Sequence, residues 1–330
     1  MELVTFSNES NANSSKDCDT EDVVERFIYP TAYSVFFIIG FPANCLSFYV
    51  ACLLMRKGNT VAVYLVNLCV SDLLYTITLP VWIELSLGQP VDSTLCTLIA
   101  CVMYNSFYVG SGLLCCISVD RYLAVVYPFY FGWVREVRTA VVVSAMVWGF
   151  ELIVHVHLLA HSGTLGSFSA QRLCEERMPM RPADANVAIV RVALGFLLPL
   201  FLMAFCFHQI IKALNDSVSL EAAERRKIRN LLLLLLVTYM VAFTPYQVVM
   251  LLRAMLEVGD CGNALLLRNY YMVFVATTTI NSVADPIIYC LLSESAKTEL
   301  KAILYNGRVT LRKLQHSGRD SVISSVVRHD

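Results

Sequence analysis

Residues 231–256 read LLLLLLVTYMVAFTPYQVVMLLRAML, an apolar stretch longer than the about 20 residues that a helix needs to cross a hydrocarbon layer. It follows the basic residues Arg225, Arg226, Lys227 and Arg229, which stop it at a membrane surface. Working outward, six more stretches qualify, and the seven spans are predicted near 27–55, 60–87, 94–126, 138–161, 185–214, 230–257 and 264–292. The connections between them are too short for a soluble domain. Composition agrees. The 330 residues are 57% apolar and 15% charged, with mean hydropathy +0.61, whereas a soluble domain has about 45–50% apolar and about 25% charged residues. A net charge of −1 with no dense basic block excludes a nucleic-acid-binding chain.

Lys and Arg orient the spans, because cytoplasmic loops carry the excess of basic residues. With the C-terminus inside, that side holds Arg56, Lys57, Arg121, Arg135, Arg138, Lys212, Arg225, Arg226, Lys227, Arg229 and seven residues of the tail, 17 of the 25. An odd number of spans then puts the N-terminus outside. Its polar first 22 residues carry the glycosylation sequons at Asn8 and Asn13, useful only in the secretory lumen. No apolar segment precedes residue 23, so the first span is expected to serve as its own insertion signal.

Of twelve cysteines, eight lie within spans, where they pack as small apolar groups. Cys18, Cys96, Cys174 and Cys261 lie at the outer face, an oxidising side that favours two disulfides. Sequence alone allows three pairings. Cys96 to Cys174 would pin the loop between the fourth and fifth spans over the bundle, and Cys18 to Cys261 would then tie the N-terminus to the last outer loop. After the seventh span, Ala296, Leu300, Ile303 and Leu304 recur at helical spacing opposite Lys297, Glu299 and Lys301, which suits a short amphipathic helix lying on the inner leaflet. The chain is thus expected to divide into an extracellular segment at 1–22, the membrane bundle at 23–292, a surface helix at 293–306 and a cytoplasmic tail at 307–330.

Ionisable groups are costly in lipid and are functional candidates for that reason. Here they are Asp72, Asp120, Arg121, Glu151, Arg191 and Asp285, with Asn44, Asn67 and Asn281 adding polar capacity.

Asn44 follows Gly40 in the first span, and LCVSD ends at Asp72 in the second. Asp120-Arg121-Tyr122 closes the third, Trp148 lies in the fourth and Pro199 in the fifth. Phe243-Thr244-Pro245-Tyr246 lies in the sixth, and Asp285-Pro286-Ile287-Ile288-Tyr289 closes the seventh. Singly these motifs are weak, but seven in order on seven spans are strong. The chain resembles the rhodopsin-like (class A) G-protein-coupled receptors over nearly its whole length. LCCISVDRYLAV at 114–125, Trp148 to Glu151 and VADPIIYC at 283–290 are similar to the proton-sensing group of that family, which also has a member linked to lysophospholipids and oxidised fatty acids.

The resemblance implies a multi-pass plasma-membrane receptor without cofactor, metal or enzymatic activity, whose partner is a heterotrimeric G protein on the cytoplasmic face. Its signal would be extracellular protons, or else a lysolipid or oxidised fatty acid. Asp120 would hold Arg121 at rest, and the freed arginine, with Tyr122, Pro128 and Phe129, would meet the G protein. Pro286 and Tyr289 would move on activation. Phe243 stands where most of the family has tryptophan, Phe207 where tyrosine is usual, and Asp285 where asparagine is commoner. Asp72, Glu151 and Asp285 match a buried acidic triad of the acid-responsive group. Burial and mutual repulsion favour the neutral acids, so a state that buries them further takes up protons. The competing reading is an ordinary water or sodium site at Asp72 and Asp285.

His155, His157 and His161 form a second candidate sensor, since histidine titrates nearest physiological pH. His155 shares a face with Glu151, one turn away; three histidines at a helix end also suit a merely amphipathic rim. Arg191 is expected to face the ligand pocket and to take a carboxylate or phosphate through its planar fork. Tyr75, Tyr104, Tyr108, Tyr246 and Phe243 would be its neighbours, and a salt bridge to Glu84 or another outer acid is the structural alternative.

Two rival classes fit less well. A transporter built on repeats would show similarity between its halves, and none is visible. An intramembrane aspartyl protease would carry Gly-x-Gly-Asp, which is missing. The histidine cluster resembles a metal box, but six histidines in all are too few for a membrane oxygenase.

Overall fold

In lipid, backbone N–H and C=O groups must bond within their own segment, so the seven apolar stretches become helices. The computed structural model describes residues 23–130, 132, 136–161, 179–216, 222–292, 296–302 and 305. Its first four spans are Val23–Arg56, Thr60–Ser86, Ser93–Val126 and Val137–His161. The fifth joins Pro182–Val192, a π turn at Ala193–Leu197 and Leu198–Asp216; the sixth is Ala222–Leu256 and the seventh Cys261–Leu292. All seven are long and apolar enough to cross a membrane.

Local chemistry sets the ends. Asn59 accepts from the N–H groups of Val61 and Ala62 (3.1 and 3.4 Å) and starts the second helix. Asp92 caps the third through Thr94 and Leu95 (3.0 and 3.1 Å). The first reversal turns on Gly58, whose φ of 81° belongs to the left-handed region that a side chain disfavours.

The first span packs on the second and seventh, the second also on the third and fourth, the third on the fourth and fifth, and the sixth bridges the fifth and seventh. Polar ties run between them. Asn44 Nδ2 donates to the carbonyls of Gly40 (3.1 Å) and Ser282 (2.8 Å), joining the first and seventh spans. Trp148 Nε1 donates to Asn67 Oδ1 at 3.1 Å, joining the fourth to the second. Beyond the seventh span, residues 296–302 are helical, with Ala296 fully buried against the main core and Lys57 paired with Glu299.

Cys96 and Cys261 are both disulfide-bonded, and the eight span cysteines are free. Their expected partners Cys174 and Cys18, like Asn8, Asn13 and the tail from 307, lie outside the described residues.

Asn44 makes the most specific of the inter-span ties. Asn44→Leu keeps the size but leaves the Ser282 carbonyl without its donor. It should cost about 1–3 kcal/mol, read as a lower melting temperature of the purified protein in detergent.

Candidate functional site

Two of the three expected acids meet at the centre of the bundle. Asp72 and Asp285 are 5% and 3% exposed, and Asp285 is the ionisable neighbour that acts on Asp72. Asn281 Nδ2 donates to Asp285 Oδ2 at 2.7 Å. Asp72 Oδ2, Asp285 Oδ1 and Asn281 Oδ1 are buried without a hydrogen-bond partner. No basic side chain among the described residues lies within ion-pair distance of either aspartate.

At the end marked by Asp120-Arg121-Tyr122, the Arg121 guanidinium lies 3.3 Å from Asp120, which is buried while Arg121 is one-third exposed. Arg121 lines a cavity of about 630 Å³, counting its open side, with Leu231, Leu232 and Leu235 of the sixth span and Asp285 and Tyr289 of the seventh. The central acid and the interfacial arginine thus share one cavity. Tyr122 packs edge-on against Tyr127, and Phe129 is 93% exposed just beyond the third span, next to the exposed Pro128. Phe207 sits among Ile210, Leu214 and Leu232. Phe243 packs edge-on between Phe107 and Tyr239, both 4.6 Å away, and Tyr239 donates to Ser111 Oγ at 3.4 Å.

Glu151 lies elsewhere. It lines a crevice between the third, fourth and fifth spans with Asn105, Tyr108, Phe150, His155, Arg191 and Gly195. The expected triad is therefore divided, with two acids at the centre and the third beside Arg191. The reason is the phase of the fourth helix, which turns Glu151 towards the fifth span. The histidine cluster is divided too. His155 is buried with Nδ1 3.1 Å from Arg191 Nη2, while His157 is exposed on another face. The side chain of His161 is outside the described residues.

Arg191 stands over the rings of Tyr104 and Tyr108 at 5.4 and 5.3 Å, within cation–π range. No salt bridge joins it to the exposed Glu84 or to any other acid among the described residues. Tyr75 and Tyr246 do not reach the arginine's crevice. They line a neighbouring central pocket with Tyr104, Tyr108, Phe107 and Met103, and the Tyr75 hydroxyl is bonded to Thr278 and Thr279 (3.3 and 3.1 Å).

Sequence reading passed over one buried ion pair. Arg253 Nε donates to Glu257 Oε2 at 2.5 Å, and its guanidinium stacks 4.3 Å from the Tyr271 ring centre. Glu257 Oε1 also accepts from the backbone N–H of Met180 (3.0 Å), tying the start of the fifth span to the end of the sixth. The signal was the i, i+4 spacing of opposite charges at a helix end. Nearby, Asp184 holds the guanidinium of Arg181 in a two-pronged bond (2.7 and 3.0 Å), which raises its pKa above the ordinary arginine value.

With this geometry in place, comparison with known proteins gives a consistent answer. Residues 43–289 match the model of the 7 transmembrane receptor (rhodopsin family). The chain is 34% identical to G-protein coupled receptor 68 of Homo sapiens, over 87% of its own length and 80% of the relative's. It is 34% identical to G-protein coupled receptor 65 of Homo sapiens (85% and 87%) and 28% identical to Lysophosphatidic acid receptor 6 of Gallus gallus (85% and 95%).

The floor of the Arg191 crevice rests on a missing side chain. A Cβ on Gly195 would lie 2.3 Å from Cε1 of the buried Tyr108. In an open helix Gly→Ala gains about 1 kcal/mol, but here overpacking of about 1–3 kcal/mol outweighs it. Gly195→Ala should therefore lower the melting temperature, and the loss should largely vanish in a Tyr108→Ala background, as a double-mutant cycle would show.

Proposed function

The chain belongs to the rhodopsin family of seven-transmembrane receptors, cell-surface proteins that act through G proteins and are not enzymes, and from that premise we propose that extracellular protons are its signal. The observation that carries the reading is the Asp72–Asp285 pair, two buried carboxyls that among the described residues have no cation in contact and an unpartnered oxygen each. Two like charges in such a place are costly. A proton on either removes the cost, and a state that closes further around the pair takes up protons as it forms. Falling pH then favours that state, so output rises with acidity.

Transmission uses the shared cavity. Asp285 lies one turn before Tyr289, and both line the space into which Arg121 projects. The 3.3 Å Asp120–Arg121 contact is a bistable ion pair at the membrane edge. Rearrangement of the seventh span around a protonated Asp285 changes the walls beside that arginine and favours its release to a G protein. Exposed Pro128 and Phe129 extend the same face. Of the two candidate sensors, the aspartates rank ahead of the histidines, because His157 faces outward and only His155 is buried in a polar crevice.

A second reading is an anionic lipid agonist, favoured by Arg191 and by the likeness to a receptor named for lysophosphatidic acid. A sodium ion between the aspartates is the bland alternative. These separate in one experiment: cyclic AMP and calcium are recorded in cells expressing the chain over roughly pH 8 to 6, with no lipid added and at two sodium concentrations. A proton receptor responds steeply to acid, and a sodium site moves the curve with sodium. Asp285→Asn mimics the protonated acid without changing its shape; at equal surface expression it should raise basal output and flatten the pH curve. An unaltered curve sinks the proposal. Arg121→Ala should lower G-protein nucleotide exchange at least about tenfold, about 1.4 kcal/mol of coupling, while sparing surface expression.

A further inference from the structure

The crevice beside Arg191 is unlike the central pocket. Phe150 on the fourth span and Val190 and Leu194 on the fifth form its rim, and they are 60%, 40% and 55% exposed. In a membrane-spanning helix, an exposed apolar side chain faces lipid, so this opening, about 460 Å³ including the open side, gives onto the bilayer. Its inner wall is polar. Among the described residues Arg191 has no acid in ion-pair contact, and it rests on tyrosine rings and on His155. A guanidinium has no acceptor capacity, so it donates to His155 Nδ1 and the ring proton sits on Nε2. That Nε2 is buried in a residue 6% exposed and has no partner, and Asn105 Oδ1 is likewise buried and unpartnered. The crevice thus presents a cation and a free N–H donor at its head and an apolar rim at its mouth.

We propose that this crevice binds a single-chain amphiphile from the membrane, with its anionic headgroup on Arg191 and His155 and its tail leaving past Phe150 and Leu194, and that protonation of Glu151 tightens the binding. The proposal deepens the lipid reading of the receptor and gives Glu151 a place apart from the central aspartates. The groups facing Glu151 are Arg191 from the fifth span, His155 from its own and Tyr108 and Asn105 from the third. When Glu151 is ionised, the crevice holds one positive and one negative side chain, and an incoming anion meets a like charge. When Glu151 is neutral, the crevice has a net positive charge and the anion is welcomed. A phosphate and a carboxylate headgroup share this chemistry.

The test uses the full chain in phosphatidylcholine nanodiscs, with labelled oleoyl lysophosphatidate, a hydroxylated linoleate and the uncharged mono-oleoylglycerol as probes, each at pH about 7.5 and about 6.5. Saturable binding of either acidic probe, tighter at the lower pH, is the expected result, and the stronger one identifies the headgroup. Arg191→Ala should weaken it at least about tenfold, the scale of a lost charge-assisted contact. Arg191→Lys should keep part of it, which controls for folding. Leu194→Trp, a lipid-facing change, should block the mouth without lowering the melting temperature. Glu151→Gln should bind at the higher pH as tightly as the unaltered chain does at the lower. Equal binding of the uncharged probe, unchanged binding in Arg191→Ala, or binding lost through Tyr246→Ala but not through Leu194→Trp overturns the site. Binding that ignores pH overturns the role of Glu151. The acid response without lipid, lost through Asp285→Asn, reports on the central pair alone, so failure there and failure of this crevice are distinct results.

Discussion

A charge inside a lipid-bounded bundle has to be met by an opposite charge, a proton, a polarisable face or a ligand, since the desolvation cost of leaving it alone is several kcal/mol. The helices of this chain meet that demand in four ways, and the differences assign their roles. Arg253 and Glu257 satisfy one another completely, with Tyr271 and the Met180 N–H filling the remaining positions. A pair so fully bonded has no reason to change and serves as a clasp between the fifth and sixth spans. Asp120 and Arg121 are adjacent in sequence and lie 3.3 Å apart at the membrane edge, where the arginine keeps access to water. Arg191 is held by rings and an imidazole and, among the described residues, by no contacting acid. Among the described residues, Asp72 and Asp285 have no basic partner; they face one another, and Asp285 accepts from Asn281.

The ordering also follows depth. Arg253 and Glu257, near the end of the sixth span, are buried and satisfy each other through hydrogen bonds, while Arg121, one-third exposed at the membrane edge, can borrow water. The central aspartates cannot, and what compensates them must be small enough to reach the middle of the bundle: a proton, a water or a sodium ion. The arginine between the third and fifth spans has an opening on the lipid side, so its compensating group can be as large as the head of an amphiphile. On the proposed readings, one helix bundle would offer a small-cation input at its centre and an anion input at its flank.

Much of this was legible in the sequence because membrane helices obey one dominant constraint. The apolar stretches give the seven spans, six of them to within four residues, while the sixth helix begins at Ala222, eight residues earlier, because it continues through the basic segment. What the sequence does not display is rotational phase. In a soluble helix the polar face reveals which side is buried, but the fourth span is apolar nearly all round, so the side on which Glu151 lies has no signature. That is why an acid grouped with Asp72 and Asp285 on resemblance turns out to line the crevice with Arg191. The separation of His155 from His157 was readable, since residues two apart on a helix do not share a face. The π turn at Ala193–Leu197 was not, for it depends on how the chain fits around its neighbours. Gly195 marks the place only once Tyr108 is seen pressed against it.

The two proposed inputs are bound together by thermodynamics rather than by proximity. If loss of the Glu151 charge tightens an anion on Arg191, the anion must in turn favour the protonated Glu151 by the same free energy, because coupling between two binding equilibria is reciprocal. An amphiphile would then make the receptor respond at a higher pH than protons alone, and acid would make it respond to less amphiphile. The coupling extends to the G-protein side only as far as each ligand distinguishes the resting from the active arrangement. Asp285 has a direct means to do so, since it shares walls with Arg121. Arg191 has an indirect one. Its ring partner Tyr108 packs on Phe107, which packs on Phe243, which packs on Tyr239 and hence reaches Ser111. That aromatic column runs from the crevice into the sixth span without a charged member, so it can transmit displacement but not protonation. On the proposed readings, proton and lipid would act on Arg121 and on the sixth span through different physics, one through a change of charge beside the arginine and the other through a shift of packed rings.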